Sequence, residues 1–259
     1  MSDELNELKL KRAKLQQVRL WKRHPLLFLT GYDFIEGRPL IYTLDEHDLA
    51  NPVKPLPATG PVMAIASAWW DLKSATLVIS KSRHVMASWT MVALNLWLAL
   101  FHDGALCLYI SKHRQATVNL LDRTKFIYTH LPTWLQEMFP TTKPVDELSK
   151  VELPFRHLSA IRALPRGAAQ LREFTGSSLL VDEAGYVNDL EEVQTAAIPV
   201  IAGGGRVVFM CTPVRGSHFE TMAYVQSDGS EVDLKAVANA KIIKQRIAEI
   251  KSLQTVNNS

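Results

Sequence analysis

The chain has 259 residues, two cysteines and a formal net charge of +3. With 47% hydrophobic and 21% charged residues it can bury a sizeable core, and it falls outside disordered compositions. Cys107 and Cys211 each sit in an apolar run without a partner at metal-ligand spacing, which excludes a disulfide scaffold and a Cys-type zinc site.

Residues 4–23 are rich in Leu, Lys, Glu and Gln, lack Gly and Pro, and predict a helix that Pro25 interrupts. Residues 9–24 are dense in Lys and Arg and free of acid. Such a segment either meets phosphates or an acidic partner, or forms a solvated helix face. The first eight residues carry no apolar core of a signal peptide. Pro39, Pro52, Pro55, Pro57 and Pro61 then predict a long irregular connection.

Regular alternation follows. The pattern predicts strands over 75–80, 105–111, 157–164, 178–182 and 206–212, with helices over 87–101, 113–130 and 190–201 between them. The apolar run 85–101 carries Ser88, Thr90 and Asn95 and falls short of the ~20 residues of a spanning helix, so it reads as a buried helix and no membrane contact is expected. Strands alternating with helices predict an α/β fold, a three-layer sandwich around a mainly parallel central sheet. Trp69 and Trp70, just ahead of the first strand, belong either to the core or to a wall on which a base stacks.

In open parallel sheets ligands gather at the carboxyl ends of the strands, and three polar clusters fall there. The first runs Lys81, Ser82, Arg83, His84, Val85, Met86, Ala87, Ser88, Trp89 between a strand and a helix. A phosphate loop needs inward backbone N–H groups, a cation for the β- and γ-phosphates, and a hydroxyl at the helix start for Mg²⁺. Ser88 has the hydroxyl position, but Lys81, Met86 and Ala87 stand where the pattern GxxxxGK[ST] asks for Gly, Gly and Lys. Lys81 and Arg83 could supply the cation from the front of the loop. The second cluster is Ser178 to Ala184, an apolar strand ending in Asp182 and Glu183. Asp182 suits the metal shell and Glu183 the polarisation of an attacking water. The third, Val207 to Gly216, ends a strand in Thr212 and Pro213, where a threonine could sense a γ-phosphate.

In order and spacing these pieces resemble the ATPase domain of the large terminase subunit, the DNA-packaging motor of tailed bacteriophages. The resemblance covers roughly residues 50–225. It includes the 81–89 loop, Leu108 to Ala116 with Leu120 to Arg123 and Leu131-Pro132, Gln170 to Thr175 ahead of Leu179 to Tyr186, and Cys211 to Gly216. It implies a P-loop NTPase fold of the ASCE/RecA-like type, with residues 1–50 as a basic helix and lead-in, 51–225 as the ATPase domain and 226–259 as a C-terminal amphipathic helix and tail. It also implies ATP and Mg²⁺ as ligands. Lys81, Ser82, Arg83, His84, Val85, Met86, Ala87, Ser88 and Trp89 would bind nucleotide, Ser88 and Asp182 the metal, and Glu183, Arg83 and Thr212 would serve catalysis and coupling. Arg162, Arg166 or Arg172 would reach a neighbour's site.

The implied partners are double-stranded DNA, the small terminase subunit, the portal protein and further copies in a ring, with a monomer when isolated, all in the host bacterial cytoplasm. The family also carries a nuclease domain. After residue 225 only Asp228, Glu231, Asp233 and a Lys-rich amphipathic helix over 234–253 are found, so DNA cleavage is not expected of this chain. Two rival readings are a non-hydrolysing DNA-binding or scaffold protein on a degenerate loop, and a fragment of a helicase-type ATPase. Met86 is expected to deny the loop the positive φ that a glycine permits.

Overall fold

A computed structural model describes residues 2–71, 75–83, 85–165 and 167–224. The expected helix over 234–253, with Asp228, Glu231 and Asp233, lies outside the described residues. The chain opens with α1 (Ser2–Arg23) and α2 (Pro25–Leu29), followed by two small antiparallel pairs, β1 (Tyr32–Asp33) with β2 (Arg38–Pro39) and β3 (Tyr42–Leu44) with β4 (Val53–Pro55). Then come α3 (Gly60–Trp70), β5 (Thr76–Ser80), α4 (Ala87–Phe101), β6 (Leu106–Ile110), α5 (Arg114–Thr129) and α6 (Thr133–Met138). The remainder is β7 (Glu152–Pro154), β8 (Ala160–Ala163), α7 (Ala168–Leu171), β9 (Ser178–Asp182), α8 (Leu190–Ala196), α9 (Ile198–Ala202), β10 (Arg206–Cys211) and α10 (His218–Tyr224).

The six longer-range strands form one sheet in the order β5-β10-β9-β6-β8-β7. Every pairing is parallel except that of the edge strand β7 with β8. The expected α/β three-layer sandwich is therefore present, and β10 is inserted between β5 and β9. Strand alternation sorts the core into two layers. Leu180, Val208 and Met210 face the layer of α1 to α6, whereas Leu179, Val181, Val207 and Phe209 face that of α7 to α9.

Helix α4 is apolar on nearly all sides because most of its surface is enclosed. Met91, Val92, Ala93, Leu94, Leu96, Ala99 and Leu100 are fully buried, as a helix without a polar face demands. No helix of the described residues is long and apolar enough to cross a membrane. Trp21, Leu26, Phe28 and Leu29 from α1 and α2 join the same core.

Three local expectations need correction. The expected irregular connection from Pro39 to Pro61 ends in Gly60 and Pro61, which already open helix α3, because Pro61 occupies the first turn, where its missing N–H costs nothing. The expected strand over 157–164 is shorter, Ala160–Ala163, and is reached through the hairpin from β7. The expected helix over 190–201 divides into α8 and α9, with Pro199 in the first turn of the second.

The tryptophans ahead of β5 are structural. Trp69 is fully buried and meets the Trp97 ring edge-on at 6.1 Å. Arg206, the first residue of β10, donates from Nη1 to the Trp69 carbonyl, and its guanidinium covers the Trp69 ring at 4.5 Å and the Trp70 ring at 5.8 Å. The last carbonyls of a helix lack intrahelical donors and form the negative end of its dipole, so Arg206 caps α3. Both rings thus sit at the amino end of the sheet, about 16 Å of strand away from the loop after β5. They line no base pocket there. Arg206→Ala is expected to destabilise the protein by about 2–3 kcal/mol, the sum of a charged hydrogen bond and a cation–π contact. A lower urea midpoint with an unchanged slope would show it.

Candidate nucleotide site

The carboxyl ends of β5, β10 and β9 stand level, because Ile79 and Asp182 both pair with Met210. β5 and β9 are consequently about 9–10 Å apart, with one strand between them. A side chain from α4 closes that gap: Ser88 Oγ donates to Asp182 Oδ2 at 2.7 Å. The two residues are 94 apart in sequence, and only the inserted strand brings them to this distance. The amino terminus of α4 opens at the same place with no acidic residue in its first turn. Its free N–H groups and positive dipole end therefore favour an anion.

The loop between β5 and α4 keeps a glycine-like backbone without the glycine. Met86 has φ +58° and ψ +15°, in the left-handed region, contrary to the expectation that it would deny the loop a positive φ. Its side chain packs against the core, and its carbonyl accepts from both the Thr90 N–H and the Thr90 hydroxyl at 2.9 Å. For a non-glycine residue this conformation costs about 1–2 kcal/mol. Met86→Gly removes that strain while losing side-chain contacts and adding chain entropy. Its unfolding free energy is expected to stay within about 1 kcal/mol of wild type. Met91→Ala, in the buried part of the same helix, is expected to lose about 2–5 kcal/mol. Urea titration of both variants checks the contrast.

Asp182 is buried, and desolvation pushes its pKa above the usual carboxylate value. The Lys81 charge, the Ser88 hydroxyl and the Glu183 N–H oppose that rise, the last donating to Oδ1 at 2.9 Å. Lys81 begins where β5 ends, and its own N–H donates to the Cys211 carbonyl at 2.9 Å, extending the β5–β10 ladder by one residue. A lysine at the front of the loop thus lies within electrostatic reach of the buried carboxylate.

Glu183 also has a positive φ, +53°. Met86 and Glu183 are two of the three non-glycine residues with positive φ among the described residues, and they flank the Ser88–Asp182 bond. Strain of this kind concentrates at functional sites. The Glu183 carboxylate pairs with Lys112 Nζ at 2.7 Å, and this contact raises the lysine's pKa. Lys112 follows β6, which lies beside β9. Sequence reasoning assigned this lysine no role, because its position depends on which strand neighbours β9.

The remaining expected residues are distributed as follows. Ser82 and Arg83 are exposed, Val85 is half-buried and Ala87 is buried. The Trp89 ring turns toward α5, 5.8 Å from Phe126 and 5.6 Å from the Arg123 guanidinium. Thr212 follows β10 beside the Cys211 thiol, whose pKa burial pushes up. Arg162 is held within the chain by Glu152 at 2.6 Å and by the Phe174 ring at 5.3 Å. Arg172 is exposed and lies 3.6 Å from Glu192. His84 and Arg166 fall outside the described residues. Among the described residues no group of three or more His, Cys, Asp or Glu could hold a metal ion. One hydroxyl and one buried carboxylate nevertheless suit Mg²⁺, which characteristically keeps waters and takes further ligands from phosphates.

No protein-family model matches the chain, and no curated protein matches it. Solved structures do. Those similar to it include phage large terminases. The ATPase domain of the Thermus phage P74-26 large terminase is similar at a TM-score of 0.49 and 14% identity, over 68% of this chain and 73% of that one. The HK97 bacteriophage large terminase gives 0.48 and 13%, over 66% of this chain and 36% of that one. A large terminase from a thermophilic bacteriophage, in complex with ADP, gives 0.43 and 10%, over 60% and 38%. At these identities the likeness is one of fold.

Proposed function

We propose that the chain is a Mg²⁺-dependent ATPase of the P-loop type, working as the motor domain of a terminase that drives double-stranded DNA into a viral procapsid. The observation that carries the ATPase reading is the 2.7 Å bond between Ser88 and Asp182 across the inserted strand. A hydroxyl at a helix start, a buried carboxylate on the second strand over and a second acid following it form the donor set that phosphoryl transfer uses. The terminase reading rests on the order of the motifs along the sequence, from Lys81 through Asp182-Glu183 to Cys211-Thr212-Pro213.

In this reading the triphosphate lies on residues 81–88 against the amino terminus of α4. Lys81 and Arg83 neutralise phosphate oxygens, while Ser88 and Asp182 are the residues that would hold the metal. Mg²⁺ held there would supply positive charge that offsets the charge developing on the phosphate. Glu183 orients the attacking water. In the free state its carboxylate is engaged by Lys112. Both side chains are about 38% exposed, and an exposed pair of this kind holds by only about 0–1 kcal/mol. Glu183 can therefore leave Lys112 for a water at small cost. Thr212, beside β10, passes loss of the γ-phosphate to the surfaces that grip DNA. The motor acts in the host cytoplasm with the small subunit and the portal.

The DNA half of the reading is tested by measuring ATP turnover with and without linear duplex DNA and purified portal. Stimulation of at least about tenfold is expected, well within the ~10³–10⁵-fold that completing one trans arginine interaction at the phosphates can supply. Turnover indifferent to DNA and portal would retain the ATPase and reject the packaging motor.

A further inference from the structure

Near the middle of the apolar helix α4 stands an amide. Asn95 is fully buried, and neither its Nδ2 nor its Oδ1 has a hydrogen-bond partner among the described residues. An unpaired amide in a core is costly, and buried polar groups of native proteins are almost always bonded to protein or to water. Asn95 comes seven residues after Ser88, two turns along the same side of α4 and about 10 Å beneath the candidate nucleotide site.

The groups around this amide are polar and neutral. The Cys107 thiol is directed at the Asn95 carbonyl, with Sγ 3.5 Å from the oxygen. Two residues along β6, the Tyr109 hydroxyl lies 3.0 Å from Thr124 Oγ1 on α5, and Thr124 in turn donates to the Leu120 carbonyl at 3.0 Å. A hydroxyl has one proton, so Tyr109 is the donor of its pair with Thr124 and its oxygen keeps a free lone pair. Burial above all pushes the Tyr109 pKa up, and the Thr124 and Asn95 side chains oppose the rise, which puts the Asn95 amide beside that hydroxyl. Cys107 pairs with Ser178 in the β6–β9 register, and the buried Ser178 Oγ also lacks a partner.

These side chains cannot complete one another. An Asn95 N–H could turn to the Tyr109 oxygen, but Oδ1 would still need a donor. The protons of Cys107, Tyr109 and Thr124 are already directed to the Asn95 carbonyl, to Thr124 and to the Leu120 carbonyl. The set therefore suits a small neutral molecule that both donates and accepts. It does not suit an ion, because none of its members is charged and an unpaired buried charge is strongly unfavourable. We infer that Asn95 holds a buried water molecule that bridges α4 to the Tyr109 hydroxyl of β6. Buried waters make about three hydrogen bonds to groups that otherwise lack partners. Here the amide and the Tyr109 oxygen supply them, with the Ser178 hydroxyl toward β9. The water ties α4 to the sheet two turns below the Ser88–Asp182 bond, so the helix that carries the site's hydroxyl is fixed at two levels.

Two measurements test this, both on the full chain without nucleotide, so neither outcome depends on the ATPase reading. A crystal structure that shows ordered water is expected to place one within hydrogen-bond distance of both the Asn95 amide and the Tyr109 oxygen. An Asn95 amide bonded directly to protein groups, with no water between it and Tyr109, overturns the inference. In solution, oxygen-17 magnetic relaxation dispersion counts long-lived internal waters without interference from exchanging hydroxyl protons. Asn95→Leu keeps the shape of the side chain but offers water no partner, and it is expected to hold about one internal water fewer than wild type. An equal count in the two proteins overturns the inference. Should the leucine variant fail to fold, the crystal structure of the wild type decides alone.

Discussion

Glu183→Gln is expected to lower ATP turnover by about 10²–10³-fold while leaving Mg²⁺-dependent ATP binding within about threefold of wild type. The reasoning is local. Among the described residues the one charged partner of Glu183 is Lys112, at 2.7 Å. The glutamine keeps the shape and the left-handed backbone, so the loop geometry around Asp182 is preserved. What disappears is the negative oxygen that orients and polarises water. Release of Lys112 from its partner adds a positive charge near the phosphates, which holds binding up. Single-turnover quench with radiolabelled ATP separates the two effects. If turnover persisted within tenfold of wild type, another group would be orienting the water.

Asp182→Asn is expected to have the opposite character, abolishing Mg²⁺-dependent binding while making the free protein more stable. Burial raises the Asp182 pKa above its value in the unfolded chain. Between the unfolded value of 3.8 and the raised folded value, the native state therefore binds more protons than the unfolded state. For this group stability falls as pH rises through that window, and the penalty is complete above the raised folded value. Asparagine can keep its oxygen for the Glu183 N–H and donate its amide N–H to the Ser88 hydroxyl, and it carries no charge, so the penalty vanishes and the thermal midpoint at pH 7.5 rises. Below the unfolded value the difference between the two proteins narrows, because wild-type Asp182 is then protonated in both states. Metal-dependent nucleotide affinity should fall by at least about 100-fold, beyond the 10–100-fold that outer-sphere changes cost a metal site. Thermal melts across pH, paired with calorimetry at pH 7.5, check both halves. A lower midpoint at neutral pH would show that the Asp182 charge stabilises the fold.

These two acids were legible in the sequence, since three apolar residues, Leu179 to Val181, ending in Asp-Glu announce a buried strand tip, and Ser178–Asp182 is observed over the expected span. Helix 87–101 was equally legible, as a mostly apolar run of this length, broken only by Ser88, Thr90 and Asn95, fits a buried helix. The alternation of strand and helix gave the layers, but the insertion of β10 between β5 and β9 comes from pairings that a linear pattern does not contain. Lys112 escaped notice for that reason, its role following from β6 lying beside β9. Met86 misled for another. Side-chain identity argues against a positive φ, yet a half-buried thioether packed on the core and two hydrogen bonds to its carbonyl hold it there. Helix α3 was hidden by Pro61, whose place in a first turn looks the same in sequence as a proline in a loop.

The central claim is that a front-of-loop lysine and a Ser88–Asp182 pair make a working triphosphate site. Isothermal titration of wild type and Lys81→Ala with ATP, each with and without Mg²⁺, addresses it most directly. The account predicts micromolar to submillimolar binding by wild type that requires Mg²⁺ and weakens at least about tenfold in Lys81→Ala, the equivalent of one charged phosphate contact. Equal binding by the two proteins, or no binding by wild type at millimolar nucleotide, would contradict it.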